Sequence, residues 1–147
     1  MASLLKVWEK AAVFKEVAES FEEVFASPAW TAYNLQAYPS NYMPTEPKPS
    51  EYVVLEVLPG QPIDIQYGYG DQLGGMFIVQ IYTEVNKGVR RAFEIGDWLR
   101  ELFQRQLLTL TDGTLQTSSS YLDVKGNDPD DPSLFRADFS VNFKAFR

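Results

Sequence analysis

Near its C-terminus the chain reads Phe135-Arg-Ala-Asp-Phe-Ser-Val-Asn-Phe-Lys-Ala145. Apolar and polar residues alternate throughout this run, and a period of two puts the two sets on opposite faces of a β-strand. One face of this strand is therefore expected to be buried and the other to contact solvent. We assign the stripe Phe139, Val141 and Phe143 to the hydrophobic core.

Other segments upstream also have strand character. They are rich in β-branched residues or alternate in polarity, and Gly, Pro, Asn or Asp residues bound them. The predicted strands are 52–58, 63–69, 76–85, 107–110 and 114–124, with Pro59-Gly60 between the first two and a turn at Asp112-Gly113 before the last. Two loops complete this part of the chain: a glycine loop at 68–75 and the loop Asp128-Pro-Asp-Asp-Pro132.

Two segments have helical periodicity instead. Apolar residues recur at intervals of three and four over 3–26, and Ser27-Pro28 ends this helix because the residue before proline is disfavoured in the helical region. A second apolar stripe covers 88–105, with Asn86 available as a cap near its start. Between the first helix and the first strand, segment 38–50 contains four prolines and no periodicity, which predicts an extended surface connector.

The order of these elements predicts the fold class. Helices and strands do not alternate regularly enough for a doubly wound parallel fold. We therefore expect one α+β domain over residues 1–147, with a mainly antiparallel mixed β-sheet and two α-helices packed on one face of the sheet. A chain of 147 residues with 45% hydrophobic residues is large enough for one core.

Composition excludes several classes of function. The chain has no Cys and no His, which removes disulfides, thiolate nucleophiles, the usual zinc sites and imidazole-based triads. A net charge of −7 argues against nucleic-acid binding, since affinity for the phosphate backbone comes from clustered basic residues. No run of roughly 18 apolar residues is present to span a membrane, and Lys6, Glu9 and Lys10 interrupt the N-terminus where a signal peptide needs an apolar stretch.

Three sequence patterns resemble ligand-binding or catalytic sites. The glycine loop fits neither the dinucleotide fingerprint nor the P-loop, and a strand rather than a helix follows it. Asp112, Asp123 and Lys125 resemble the carboxylates and lysine of a metal-dependent nuclease, but they also suit a turn and the exposed side of a strand. The loop at 128–132 lacks the spacing of a calcium loop and is interpreted as solvated. We thus expect no catalytic residue, cofactor or metal ion, and the many tyrosines favour a protein-binding surface.

The order of these segments resembles that of the tail terminator family of long-tailed bacteriophages. The most telling part is Gly74-Gly-Met-Phe-Ile-Val-Gln-Ile-Tyr-Thr-Glu-Val-Asn-Lys-Gly-Val-Arg-Arg-Ala92, where a strand after glycine passes through a short polar turn into a helix. The resemblance extends over nearly the whole chain. It implies a mixed sheet flanked by helices and no catalytic residues.

The same resemblance implies partners and a place in the virion. Such proteins form a six-membered homomeric ring that caps the tail tube and offers its other face to the head connector, and DNA only passes through the channel. The chain would thus belong to the virion tail or neck, and to the host cytoplasm during assembly. Another neck or tail-tube protein, or the metal-dependent nuclease, is the alternative.

We predict interface residues in the stiff proline-rich connector and in the two flexible loops. We expect the connector to reach a neighbouring subunit, and the two loops to face the tail tube or the channel, because turns between strands are where a scaffold makes contacts. The expected interface residues are Pro44, Pro47 and Pro49 in the connector, Tyr67, Tyr69 and Asp71 in the glycine loop, and Asp128, Asp130 and Asp131 in the acidic loop.

Overall fold

The computed structural model describes residues 13–39, 49–64, 71–110 and 113–146 of the chain. It is an α+β structure with one six-stranded mixed sheet, a short 3₁₀ turn (Val85–Lys87) and three helices, of which two are long. The helices are α1 (Val13–Ala26), α2 (Pro28–Thr31) and α3 (Gly88–Phe103). The strands are β1 (Gln36–Pro39), β2 (Tyr52–Asp64), β3 (Asp71–Glu84), β4 (Leu107–Leu110), β5 (Gly113–Asn127) and β6 (Leu134–Phe146).

The sheet has the order β1-β2-β3-β6-β5-β4, with β1 parallel to β2 and every other pair antiparallel. The strand with the clearest alternation, β6, lies between the two long strands β3 and β5. Its residues Phe139, Val141 and Phe143 are buried, as the alternation predicted. The C-terminal run therefore forms the centre of the sheet, because its apolar face is covered and both of its edges are paired.

The core is built around the β3 residue Phe77, which is fully buried. Phe21 of α1 stacks on it, with ring centroids 4.0 Å apart and planes 5° apart. Phe103 of α3 approaches the same ring at 5.2 Å. Both long helices thus contact one strand through aromatic rings, and the burial of such rings is the main stabilising term that holds helices to a sheet.

The helix ends agree with the sequence at one boundary and differ at another. α1 ends at Ala26, and Ser27 is extended before Pro28 begins α2, as the Ser-Pro pair predicted. α3 ends at Phe103, two residues short of the prediction, because Arg105 adopts a left-handed backbone conformation (φ 55°). Residues 3–12 of the predicted first helix and 40–48 of the predicted connector lie outside the described residues.

The C-terminal end of α3 is hydrogen-bonded to a β-bulge in β5. The pairing of β5 with β6 shifts register between Thr117 and Ser120. The Thr117 hydroxyl donates to the carbonyl oxygen of Phe103, and the Gln104 side-chain oxygen accepts from the Ser120 hydroxyl at 2.7 Å. The Thr117 bond satisfies one of the carbonyl groups that a helix end leaves unpaired, and the Ser120 bond holds the next residue, so the bulge and the helix terminus stabilise each other.

Two predicted boundaries in the first hairpin are wrong. β2 is one strand through Pro59 and Gly60 rather than two strands, with a register shift between Pro59 and Pro62. Within the described part of the chain, only Tyr52–Leu55 of β2 is paired with β1, so the rest of β2 is an edge there and proline, which lacks an N–H, is tolerated. β3 begins at Asp71, so that Gly74 and Gly75 lie within a strand and not in a loop.

Strand β1 was not predicted, and its residues Tyr38 and Pro39 were assigned to the connector. It pairs in parallel with β2, with Gln36 opposite Tyr52. Four residues are too few to show a period, and the partner that stabilises them is formed by a distant part of the chain. No described helix is long and apolar enough to cross a membrane.

Thr83 is expected to be a site where a substitution stabilises the fold. Its side chain is fully buried, and its hydroxyl has no hydrogen-bond partner among the described residues. A buried hydroxyl without a partner costs about 1–3 kcal/mol, so Thr83→Val should raise the free energy of unfolding by about 1 kcal/mol. Chemical denaturation measures this, with Thr109→Val at an exposed strand position as the control. A decrease in Thr83→Val would contradict it.

Candidate interaction face

The face of the sheet opposite Phe77 carries a row of aromatic rings at one end. Tyr52 of β2 lies opposite Tyr82 of β3, and the two rings stack with centroids 4.9 Å apart. Tyr38 of β1 meets Tyr52 edge-on at 5.8 Å. Tyr52 is only 6% exposed. We call this side of the sheet the tyrosine face, defined by Tyr52, Tyr82, Arg136 and Asp138.

Arg136 of β6 continues this row beyond Tyr82. Its guanidinium carbon lies 5.9 Å from the centre of the Tyr82 ring, within the range of a cation–π contact. Its Nε and Nη2 donate to the two carboxylate oxygens of Asp138, at 3.0 and 3.2 Å. The hydrogen bond to Asp138 raises the pKa of Arg136. This bidentate hydrogen bonding fixes the orientation of both side chains.

Polar side chains next to Arg136 and Asp138 on this face also form hydrogen bonds or ion pairs. Gln80 donates from Nε2 to Glu56 at 3.3 Å and accepts at Oε1 from the Tyr82 hydroxyl at 3.0 Å. On β5 the Lys125 ammonium lies 2.7 Å from an Asp123 carboxylate oxygen, and this hydrogen bond raises the pKa of Lys125. Gln80 bonds to Glu56 across two strands, and each ion pair joins two residues of one strand, so these polar groups hold one another in place and the charges are largely matched in pairs.

The acidic loop at 128–132 connects β5 to β6 next to the tyrosine row. Its backbone is closed by two bonds, from the Asp128 N–H to the Leu134 carbonyl at 2.8 Å and from the Leu134 N–H to the Asp131 carbonyl at 2.9 Å. The Asp131 carboxylate accepts from the Ser133 hydroxyl at 2.6 Å. Asp130 is exposed, but Asp128 is only 8% exposed. The prediction of a solvated loop is therefore wrong at Asp128, which is buried where the loop backbone closes on Leu134.

Alkaline pH should weaken the fold through the tyrosine row. Burial raises the pKa of Tyr52 and Tyr82 above the usual value of 10.0, and the charge of Asp128 raises both further. Above about pH 10 the unfolded chain loses these protons first, so the free energy of unfolding falls as pH rises. The contribution is intact below pH 10. Denaturation midpoints measured across this range should fall less steeply in a Tyr52→Phe/Tyr82→Phe double variant than in Tyr121→Phe, an exposed control.

The predicted interface residues do not gather at one place. Asp71 begins β3 opposite Asp64, at the far end of that strand from Tyr82 and the acidic loop. Pro49 is half-buried, close in sequence to Glu51, whose carboxylate accepts from Arg91 of α3 at 3.0 Å. The other four, Pro44, Pro47, Tyr67 and Tyr69, lie outside the described residues. Asp71 and the acidic loop are therefore at opposite ends of the sheet.

Two of the three residues of the nuclease pattern lie together on β5. Asp112 lies outside the described residues, and Asp123 and Lys125 form an ion pair with each other. Within residues 13–39, 49–64, 71–110 and 113–146, no three acidic side chains are grouped so that they could hold a metal ion. The role of Arg136, Glu56 and Gln80 in the tyrosine face was missed, although the alternation of β6 had placed Arg136 and Asp138 on the same side.

An open groove of about 500 Å³ lies at the opposite side of the sheet from the tyrosine row, beside β1. Apolar side chains from α1, α2, the residue before β1 and the first two strands line much of it: Phe25, Trp30, Leu35, Ala37 and Leu55. Trp30 is buried and its indole N–H donates to the Leu35 carbonyl at 2.9 Å, which fixes one wall. No sequence pattern indicated this groove, because its walls come from separate segments that only the tertiary structure brings together.

The chain is similar in fold to a protein of known structure. No protein-family model matches the chain, and no curated protein matches it. A solved structure does match, at 17% sequence identity and a TM-score of 0.61, over 95% of this chain and 94% of that one. Since backbone geometry is retained long after sequence and activity diverge, this likeness establishes that the fold is shared with a solved protein and nothing more.

Proposed function

We propose that this chain is a structural virion protein that forms a ring on the completed tail tube of a long-tailed phage. The ring would stop tube polymerisation and provide the surface to which the head connector attaches. The observation that carries the proposal is the tyrosine face, where the Tyr52 and Tyr82 rings stack across two strands and ion pairs fix the neighbouring side chains along β5 and β6. Such a rigid, amphipathic surface suits a protein interface, since little side-chain entropy is lost on binding.

The arrangement of layers supports the same proposal. Phe21 of α1 and Phe103 of α3 both contact Phe77, so in this proposal the two long helices cover one face of the sheet and the tyrosine face is left for partners. Tyr121 is 60% exposed on that face, opposite Ser140 of β6. Exposed aromatic residues on a rigid sheet are typical anchors of protein interfaces.

Charge supports a role beside DNA without a role in binding it. The net charge is −7, and Asp130 adds an exposed carboxylate at the end of the tyrosine face. Acidic surfaces repel the phosphate backbone, so DNA would pass through the proposed ring without adhering. The major tail tube protein and the head connector are the proposed partners, along with other copies of this chain.

Tail-tube assembly in vitro tests the proposal. The major tail protein of the same phage is allowed to polymerise with and without the purified chain, and tube length is measured by electron microscopy. We expect the chain to bind tube ends and halt growth at amounts far below those of the tube protein. Filaments formed by this chain alone would indicate a tube subunit instead, and tube growth indifferent to the chain would overturn the proposal.

A pair of variants tests the tyrosine face itself. Tyr121→Asp puts a charge on an exposed ring of that face, and Phe93→Asp puts the same charge on an exposed ring of α3. Both rings are accessible, so neither change should unfold the protein by more than a surface substitution does. We expect Tyr121→Asp to lose tube capping and Phe93→Asp to retain it. Equal capping by both variants would place the tube contact elsewhere.

A further inference from the structure

Among the described strands, the sheet ends in two that are each hydrogen-bonded to one other strand. β1 bonds to β2 at one edge, and β4 bonds to β5 at the other. Each is four residues long, and neither the sequence 36–39 nor the sequence 107–110 contains a charged residue. Proteins commonly protect sheet edges with charged side chains, so two uncharged edges in a chain of net charge −7 are notable.

The backbone of β4 presents hydrogen-bonding groups outwards. The Thr117 N–H donates to the Gln106 carbonyl at 2.9 Å, so that these two residues face each other through their backbones. In an antiparallel pair, alternate residues bond to the partner and those between them face away. Leu107 and Thr109 therefore direct their N–H and C=O groups away from β5. The Leu107 side chain is 69% exposed.

The edge at β1 adjoins a space that apolar side chains line. The groove of about 500 Å³ runs beside Gln36–Pro39, and Phe25 and Leu55 form part of its wall. Ala37 of β1 lies opposite Val53, which is fully buried, so the groove opens on the same side of the sheet as the core. A strand added at this edge would gain backbone bonds and would also cover apolar surface.

We propose that β4 of one copy of this chain pairs with β1 of the next copy, so that the sheet continues from subunit to subunit. The inference rests on the proposed ring and names its contact. Leu108 of β4 lies opposite the buried Leu115, on the core side of the sheet. In a continuous sheet it would stay on that side and cover the groove beside β1 of the neighbour.

A second copy suits these edges better than an unrelated strand for two reasons. Every copy carries one edge of each kind at opposite ends of the same sheet, which is what a head-to-tail contact requires if it is to close into a ring. Strands β1 and β4 also contain no charged residue, so two copies of this acidic chain can meet along them without repulsion between like charges. Four paired residues span only about 13 Å, so one contact is weak and ring closure supplies the remaining avidity.

Matched substitutions test the edge. Leu107→Lys adds a charge beside the outward backbone of β4, and Thr109→Pro removes an N–H that bonds to nothing within β5. Leu58→Lys is the control, because Leu58 is also an exposed leucine, on β2. Light scattering, with and without tail tubes, should show at least tenfold weaker ring formation for the two β4 variants and none of this loss for Leu58→Lys. Thermal unfolding checks that all three variants are folded.

Cysteine cross-linking tests the same pairing directly. The chain contains no cysteine, so introduced pairs report without background. Thr109→Cys is combined with a cysteine at each of the four β1 positions in turn, which covers every register. Opposed residues of paired strands are about 4.5–5.5 Å apart, within the range that a disulfide spans. We expect at least one combination to give a ladder of covalent multimers on oxidation.

The outcomes separate this inference from the function on which it rests. If wild-type rings form and cap tubes but Leu107→Lys and Thr109→Pro still assemble normally, the edge pairing is wrong and the proposed function stands. The absence of cross-linked multimers in all four combinations has the same meaning. If the wild-type chain neither associates with itself nor binds tube ends under any of these conditions, both proposals fail.

Discussion

Phe77→Ala should lower the free energy of unfolding by about 3–5 kcal/mol, the range measured for large aromatic residues cut back to alanine in a core. Phe77 is fully buried, and its ring is stacked on Phe21 and lies 5.2 Å from Phe103 and 6.3 Å from Phe25. Truncation removes the ring that both long helices contact. The surrounding rings belong to two different helices, each anchored to its own backbone, so they cannot collapse together to fill the cavity.

Urea or guanidinium denaturation followed by circular dichroism measures this loss. Phe93→Ala is the matched control, because Phe93 is 47% exposed on α3 and should change the free energy of unfolding by no more than about 0.5 kcal/mol. A loss below about 1 kcal/mol in Phe77→Ala would mean that α1 and α3 are not held through this ring. The packing of the helices on the sheet would then have to be revised.

Gly75→Ala should cost about 1–3 kcal/mol, the usual range for overpacking. A Cβ at this position would lie 2.6 Å from the carbonyl oxygen of Leu58 and 2.7 Å from Cζ of Phe143. The Phe143 ring is itself buried, and the Leu58 oxygen belongs to the backbone of the neighbouring strand. Neither group can move aside by a simple rotation, so β2 and β3 would have to separate locally.

Gly74→Ala is an unusually close control for that substitution. It makes the same chemical change one residue earlier in β3, where the nearest atom to a new Cβ is the Phe143 carbonyl oxygen at 3.9 Å. The unfolded chain is stiffened equally by either change, so the difference in free energy of unfolding reports the close approach alone. Equal stability of the two variants would show that the backbones at Gly75 relax freely, contrary to the spacing described here.

Several elements could be predicted from local patterns. The alternation of β6 indicated its buried face, the three-and-four spacing indicated α3, and Ser27-Pro28 marked the end of α1, because each of these signals is complete within a few neighbouring residues. The tyrosine face was predicted only in part. The abundance of tyrosine indicated a binding surface, but which rings meet depends on strand register, which places Tyr52 opposite Tyr82 across thirty residues of chain.

The amino-acid sequence by itself determined the α+β class, the two helical faces, the central strand and the absence of histidine and cysteine chemistry. Only the tertiary structure decided that Pro59 and Gly60 lie within one strand, that Gly75 packs against Phe143, and that Gln36–Pro39 form an edge strand. The physical reason is range. Periodicity and capping act between residues a few positions apart, whereas bulges, close approaches and edge pairing are stabilised by partners that only folding brings near.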